Sequence, residues 1–377
     1  MEEVVHYFLE GNMPVAQFRE ALALHYTNEK ELFEQAKRCL NICCGSNNFA
    51  KRNDVLFSLL DVAVSISSLE LRKELISELY VPVQSLEEAP SEYLVSCCLQ
   101  LATIYEAEQN FELLCSSLEA VEKHGHFEND LEQLLLLRIR LGDAYLKLGK
   151  AEKAILTVRT SIPLAFKVSN DQLLMELQLC NARALDETGQ FLEAAKCYYR
   201  VLQYKVPGNE LIYRENLCSV AQCLLLAIPS PIVLQFLQEI SLQPSVREIP
   251  FYSLVEKYLK RKFIGKEDGA FLLPFLLPHQ VIHMNRLIED GRHFLETNIL
   301  FLSEFFEVSS TSILAKHFKL SEEQVDTVVA DMVIQERLNA SIDQCEGYIT
   351  FLPEYGKANN LPNYVNKIAT VLQHYGS

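Results

Sequence analysis

Apolar residues in the middle of the chain recur with a helical spacing, and the whole pattern then repeats in larger units. Similar openings begin at Leu101, Leu141 and Asn181, so one unit follows another about every 40 residues. After each opening, a polar turn precedes a second apolar stripe, whose spacings of three and four place its residues on one face of a helix. These stripes contain Phe111, Leu114 and Leu118; Ala151, Ala154, Ile155 and Val158; and Phe191, Ala194, Ala195 and Tyr198. Each unit is therefore predicted to be a helix, a tight turn and a second helix.

The turns and the period together predict a solenoid. Gly149 and Gly189 stand where the C-terminus of a helix favours a residue in the left-handed conformation. A period near 40 residues is typical of two-helix repeats, which bury their apolar faces by stacking and bind other proteins on a concave surface. We predict N-terminal helical repeats over residues 1–90, with a weak unit at Val62–Leu79, and a TPR-like solenoid over residues 91–284.

The C-terminal third begins with three further predicted helices. The first spans residues 292–306, and the cluster Ser309–Ser312 can cap a short helix after it. Ser321–Gln324 fits a capping box, in which two side chains bond the exposed amides at the start of the next helix. The apolar face of that helix contains Val325, Val328, Val329, Met332 and Val333.

A period of two replaces the helical period after residue 337. Two short runs alternate apolar and polar residues on either side of a turn at residues 343–347, which predicts a hairpin. Three helices followed by a hairpin form a winged helix, predicted here over residues 285–352. The open edge of the hairpin can pair with a strand of another protein. The predicted protein interface therefore contains Ile342, Tyr348, Ile349, Thr350 and Phe351.

A tail helix is predicted over residues 353–377. Its apolar residues alternate spacings of four and three, as in the seam of a coiled coil. An isolated helix of this length is marginally stable in water, so we predict that it packs against partner helices, with packing against its own domain as the alternative. The predicted contact residues are Leu361, Val365, Ile368, Leu372 and Tyr375. The predicted fold class is therefore mainly α, with a repeat solenoid, a winged helix and a C-terminal helix.

The charge of the chain disfavours nucleic-acid binding. Acidic residues outnumber basic ones by 50 to 34, which gives a formal net charge of -16, whereas contacts to phosphates need a basic surface. The predicted recognition helix, residues 321–338, contains five acidic side chains and only Arg337 as a basic one. Because winged helices can enter the DNA major groove, a nucleic-acid-binding adaptor stays as a less favoured alternative.

The N-terminus and the cysteines indicate an unsecreted protein. The first residues, Met1–Val4, are acidic and lack the basic and apolar segments of a secretory signal. No run of about 18 apolar residues predicts a membrane span. The 11 cysteines are accordingly expected to be reduced and to pack as small apolar residues. We expect a protein of the cytoplasm and the nucleus.

One histidine pair has a metal-binding spacing without the rest of a metal site. His279 and His283 are four residues apart, as in a zinc helix, but Gln280 stands where a zinc protease needs a general-base glutamate. The neighbouring Pro278 and the apolar residues around it indicate a linker.

A second pair, His124 and His126, resembles the histidines of the JAMM metallo-isopeptidases. Leu134 and Leu137 occupy the positions of the serine and aspartate that complete that site, which indicates a surface loop. The sequence also has no phosphate-binding glycine loop and no nucleophile elbow. We therefore predict no catalytic residue, no metal, no cofactor and no enzyme activity.

Helical repeats that run into a winged helix resemble the PCI-domain family. Its members are scaffold subunits of the COP9 signalosome, the proteasome lid and translation initiation factor 3. Four motifs resemble the signalosome branch more closely than the runner-up, the proteasome lid, although Thr297 stands where that branch has a histidine. The motifs are Ala182-Arg-Ala-Leu-Asp186, Leu276-Leu-Pro-His-Gln280, Leu295-Glu-Thr-Asn298, and Arg337-Leu-Asn-Ala-Ser-Ile-Asp-Gln344 with Gly347-Tyr-Ile-Thr-Phe351.

The resemblance implies a role in assembly. The signalosome removes the ubiquitin-like protein NEDD8 from cullins, and the metal chemistry belongs to a separate JAMM subunit. A PCI subunit of this branch is expected to contact other PCI subunits through its winged helix and to enter a helical bundle through its tail. Its N-terminal repeats are expected to contact the cullin–RING ligase that is the substrate.

Overall fold

The computed structural model describes residues 2–10, 13–14, 17, 29–45, 49–84, 90–128, 130–204 and 210–352. The chain divides into two compact units, residues 1–180 and residues 181–377. The predicted tail helix, with its contact residues from Leu361 to Tyr375, lies outside the described residues. None of the described helices combines the length and hydrophobicity that a membrane span requires.

Helix pairs form the first unit and the start of the second. Helices α5, α7 and α9 begin 40 residues apart, at residues 91, 131 and 171, and their partners α6, α8 and α10 begin at residues 111, 151 and 191. The pair α3 and α4 forms a fourth unit around the predicted Val62–Leu79. The predicted helical repeats are confirmed. The helices are α1 (Glu2–Leu9), α2 (Glu29–Cys44), α3 (Phe49–Ser65), α4 (Leu69–Gln84), α5 (Ser91–Ala107), α6 (Phe111–His124), α7 (Leu131–Lys147), α8 (Ala151–Ala165), α9 (Asp171–Glu187, which crosses into the second unit) and α10 (Phe191–Val201).

Each repeat turns on the same backbone hydrogen bond. The amide of Lys150 donates to the carbonyl of Tyr145 at 2.9 Å, and the amide of Gln190 donates to the carbonyl of Leu185 at 2.9 Å. This bond closes the helix only if the residue before the donor is left-handed. Gly149 has a φ of 67° in one turn, and in the first repeat Gln109 reaches 56° without being glycine.

Gly149→Ala is expected to lower the free energy of unfolding by about 1 kcal/mol, because an L-residue in the left-handed conformation is strained. A Cβ at Gly149 would meet nothing within 4 Å, so the loss would come from the backbone alone. Gly45→Ala is the matched control, since Gly45 lies outside the left-handed region and its Cβ would make ordinary contacts at 3.7 Å. Urea unfolding of both variants measures the difference. An equal loss in the two would contradict the left-handed requirement.

The second unit continues with short helices and ends in a small sheet. A 3₁₀ turn at Pro244–Glu248 and another at Leu273–Phe275 join its helices. The remaining elements are α11 (Glu210–Leu226), α12 (Pro231–Ser241), α13 (Tyr252–Leu259), α14 (Lys266–Leu272), α15 (Pro278–Asp290), α16 (Arg292–Ser303), β1 (Val308–Ser310), α17 (Thr311–Phe318), α18 (Glu322–Ile334), β2 (Ala340–Asp343) and β3 (Tyr348–Phe351).

The last elements form the predicted winged helix. The capping box that starts α18 is present: the Gln324 amide donates to Ser321 Oγ at 3.2 Å, and the Ser321 amide donates to Gln324 Oε1 at 2.9 Å. The Ser309–Ser312 cluster lies at the start of the predicted helix: Ser310 is the N-cap residue of α17, although its side chain makes no capping hydrogen bond. Ser309 and Ser310 also belong to β1, a strand that was not predicted and that pairs with β3. One prediction was wrong. The histidine segment after Pro278 was expected to be a linker, but it begins helix α15.

Candidate functional site

The sheet of the winged helix has one buried face and one open face. Residues directly opposite one another share a face, and Tyr348 lies opposite Ser310 and Asp343, while Thr350 lies opposite Val308. Tyr348 and Val308 are 47% and 49% exposed. The other face holds Ile349, Phe351, Ala340 and the half-buried Ile342, beside the apolar side of α18.

The strand order determines which strands have unpaired backbone N–H and C=O groups, and it differs from the prediction. The sequence predicted a two-stranded hairpin, but the order is β1-β3-β2, so β3 pairs on both sides and the outer edges belong to β1 and β2. Ile349 and Phe351 are buried and support the sheet from within, whereas Tyr348 remains exposed. Contact of Ile342, Tyr348, Ile349, Thr350 and Phe351 with another subunit stays a prediction.

A buried ion cluster connects the winged helix to the elements before it. Glu296, 5% exposed, accepts from Arg292 Nε at 2.7 Å through one carboxylate oxygen and from Arg337 Nη1 at 2.7 Å through the other. Arg337 also donates to the carbonyl of Pro229 at 2.7 Å, and Arg292 reaches Asp331 on α18 at 2.8 Å. The hydrogen bond that Arg292 donates to Glu296 raises the pKa of Arg292 above its usual value. Charged donors on both oxygens offset the cost of burying this carboxylate where water is largely excluded.

The same cluster makes Arg337 unavailable for the phosphate contacts that DNA binding would need. Arg337 was the one basic residue found in the predicted recognition helix, and its side chain is 11% exposed and held by Glu296. Glu322 and Glu323 lie exposed in the first turn of α18. A phosphate beside this helix would meet carboxylates, without the counterion release that normally drives binding.

A second buried connection joins α9 and α15 within the second unit. Asp186, 1% exposed, accepts from Gln280 Nε2 at 2.9 Å through both carboxylate oxygens. It also accepts from the hydroxyl of Tyr198 at 3.3 Å and lies 3.1 Å from His279 Nε2. Burial, and then the nearby charge of Asp186, raises the pKa of Tyr198 well above its usual range, so the hydroxyl stays a donor. This network therefore attaches α15 to α9 through buried hydrogen bonds.

A third connection involves Asn298 on α16. Its Oδ1 accepts from the amide of Ile264 at 3.1 Å, and its Nδ2 donates to the carbonyl of the same residue at 2.7 Å. Buried backbone groups need hydrogen-bond partners, which in a strand or helix are other backbone groups. In this loop the side chain of Asn298 supplies both partners for Ile264.

The histidine pairs do not form a metal site. His283 packs edge-on against Phe191 with ring centroids 4.7 Å apart, and burial lowers its pKa. His279 faces Asp186 instead. His124 was predicted to lie in a surface loop but is the last residue of α6, whereas His126 lies in the loop that follows, as predicted. Across the ranges that the structure describes, no group of three or more histidine, cysteine, aspartate or glutamate side chains could hold a metal ion.

Comparison with known proteins decides what these elements are. Residues 278–353 match the family model of the PCI domain. The C-terminal part of this chain is similar to PCI domains. The matched stretch begins at the first residue of α15 and ends just after β3. The predicted resemblance to this family is confirmed, as is the predicted fold of helical repeats followed by a winged helix.

Three curated proteins are similar to this chain over a longer stretch. Proteins named COP9 signalosome complex subunit 4 are 25% identical over 261 residues in Arabidopsis thaliana, 25% over 260 in Dictyostelium discoideum and 24% over 266 in Emericella nidulans. Each match covers 67% of this chain. The match spans 66%, 64% and 64% of the relatives, which is just under two thirds of their length.

The motifs that carried the resemblance contact one another in the folded chain. Asp186 contacts Gln280, Glu296 contacts Arg337, and Asn298 fixes the loop before α14. The sequence predicted none of these contacts. One signal was available for Asp186, because it lies four residues after the buried Ala182 and therefore on the apolar face of its helix. A carboxylate on such a face needs a buried partner.

Proposed function

We propose that this chain is a non-catalytic scaffold subunit of the COP9 signalosome, in the position of subunit 4. The observation that carries the proposal is the similarity of 67% of the chain to three relatives with that name. The PCI domain at residues 278–353 supports the scaffold role. The complex is proposed to remove NEDD8 from cullin–RING ligases through a separate JAMM metallo-isopeptidase subunit.

Within that complex the chain is proposed to use three regions. The winged-helix sheet, with its exposed Tyr348 and the outer edges of β1 and β2, would contact neighbouring PCI subunits. The tail at residues 353–377 would enter a helical bundle. The N-terminal repeats would contact the cullin–RING ligase, in the cytoplasm and the nucleus. The acidic α18, and the burial of Arg337 after it against Glu296, support protein contact over nucleic-acid binding.

Affinity purification of the tagged full-length chain from its own cells tests the proposal. Recovery of further PCI subunits and a JAMM protein is expected, and the native mass of the complex should equal their sum. Recovery of proteasome lid subunits instead would transfer the chain to the runner-up complex. Recovery of the chain by itself would reject the scaffold role.

Replacing Val365, Ile368 and Leu372 together by aspartate is expected to reduce the recovered complex roughly tenfold or more, because a charge at each seam position opposes apolar packing. Circular dichroism of the purified variant should match the wild type. The control carries the same charges away from the seam, in the variant Asn363→Asp, Asn366→Asp, Thr370→Asp. Equal recovery of the two variants would exclude the tail as an assembly element.

A further inference from the structure

An open groove of about 620 Å³ lies on the second unit, bounded by the loop after α13, the end of α16 and helix α17. Its floor includes Phe301 and Leu314, which are 3% and 5% exposed, while Ile313 on its rim is 68% exposed. An exposed apolar patch rimmed by polar groups marks an interaction site on a soluble protein. The aromatic groove is defined by Phe263, Phe301, Phe305, Phe306, Ile313 and Phe318.

The walls of the aromatic groove are fixed by their own contacts. The ring of Phe301 lies edge-on to Tyr258 with centroids 5.7 Å apart, and the Arg261 guanidinium covers it at 5.6 Å. Arg261 is anchored in turn by Glu304 at 2.8 Å. On the opposite side, Phe263 packs against the His317 ring at 4.3 Å. The groove is therefore formed before any ligand arrives, which reduces the entropy lost on binding.

The rim of the aromatic groove is basic although the chain is strongly acidic. The charged residues that line it are the basic Lys260, Arg261 and Lys262 and the acidic Glu304, in a chain of net charge -16. Among the residues that the structure describes, Lys262 in the lining forms no ion pair, and neither do Lys316 and Lys319, which are exposed on α17 and just after it. Unpaired cations around an apolar site attract an acidic partner and select its orientation.

We propose that the aromatic groove binds an acidic amphipathic helix of another protein. Apolar side chains on one face of such a helix fill a hydrophobic groove, and carboxylates on its flanks meet Lys262, Lys316 and Lys319. The chain's own tail is a poorer occupant, because residues 353–377 contain one glutamate and two lysines. The aliphatic Ile313 and Leu314 also suit apolar side chains better than stacked bases. The proposal rests on the aromatic groove and not on membership of the signalosome.

Fluorescence anisotropy with the full-length chain tests the proposal. The probe is a stapled helical peptide with leucine on one face and glutamate elsewhere, and the comparison peptide has lysine in place of every glutamate. The acidic peptide is expected to bind about tenfold or more tightly than the basic one, with an advantage that falls as salt is raised. Equal affinities at low salt would overturn the proposal.

Substitutions locate the binding. Ile313→Asp is expected to abolish binding of the acidic peptide, while Phe166→Asp, at an 87% exposed aromatic in the first unit, leaves it unchanged. Exchanging Lys262, Lys316 and Lys319 for glutamate is expected to reverse the preference between the two peptides. Unchanged binding by Ile313→Asp would overturn the proposal, and circular dichroism verifies that each variant is folded.

Two further results would show that the aromatic groove binds something other than an acidic helix. A labelled oligodeoxythymidine that binds more tightly than the acidic peptide, and that Ile313→Asp releases, would assign the aromatic groove to nucleic acid. A full-length tail variant with aspartate at Val365, Ile368 and Leu372 that binds the acidic peptide about tenfold more tightly than wild type would show that the tail occupies it. We expect neither result, and either one overturns the proposal.

Discussion

Glu296→Ala is expected to lower the free energy of unfolding by roughly 3–5 kcal/mol, the loss typical when one partner of a buried ion pair is removed. The carboxylate lies between Arg292 and Arg337, and its loss leaves two guanidinium groups without their shared acceptor. Arg337 cannot turn outward to water without breaking its bond to the Pro229 carbonyl. Urea unfolding of the full-length variant measures the change.

Two comparisons separate a buried charge from a merely missing side chain. Glu193→Ala removes the 57% exposed partner of Lys196 in the same unit, and a loss below about 1 kcal/mol is expected there. Combining Glu296→Leu with Arg337→Met is expected to recover part of the loss, because removal of both charges leaves fewer unpaired groups. If Glu296→Ala behaves like Glu193→Ala, the ion cluster does not stabilise the winged helix.

Asp186→Ala is expected to cost roughly 3 kcal/mol, because each buried donor left without an acceptor costs about 1–3 kcal/mol. Gln280 loses both of its bonds to the carboxylate, and the buried hydroxyl of Tyr198 loses its acceptor. The carboxylate itself is costly to bury, and its removal offsets part of the loss. Replacement by alanine is therefore expected to destabilise by less than the sum of the broken bonds.

A double-mutant cycle with Gln280→Ala isolates the contact across α9 and α15. A coupling energy of about 1–2 kcal/mol is expected for side chains in direct contact. Glu187→Ala is the matched control, since the neighbouring carboxylate is exposed and its removal should change stability by less than about 0.5 kcal/mol. A coupling energy near zero would mean that the two helices keep their places without this network.

The repeats were predictable because their signals are local. Gly149 and Gly189 occupy the left-handed position of their turns, and the apolar spacings around them fix both helices of each pair. The three connections were not predictable, because their partners are far apart in sequence: 94 residues for Asp186 and Gln280, 41 for Glu296 and Arg337, and 34 for Ile264 and Asn298. Nothing in the local sequence says which distant donor a buried acid will meet.

Strand β1 shows the same limit in the sheet. It has three residues, two of them serine, and no alternation of apolar and polar positions that would distinguish it from a cap. Its conformation depends on pairing with β3 from Val308 to Ser310, about 40 residues away in sequence. The hairpin was predictable from its own pattern, but its place at the centre or the edge of the sheet depended on this non-local partner.

The short edge strands of the sheet limit the binding free energy that one added strand can supply. β2 has four residues, so an added strand gains only a few hydrogen bonds, each contributing about 0.5–1.5 kcal/mol net. Bringing two proteins together costs at least about 4 kcal/mol in lost translation and rotation. One short strand edge therefore gives too little binding free energy to hold another protein. Stable attachment needs several weak contacts, because each one raises the effective concentration for the others.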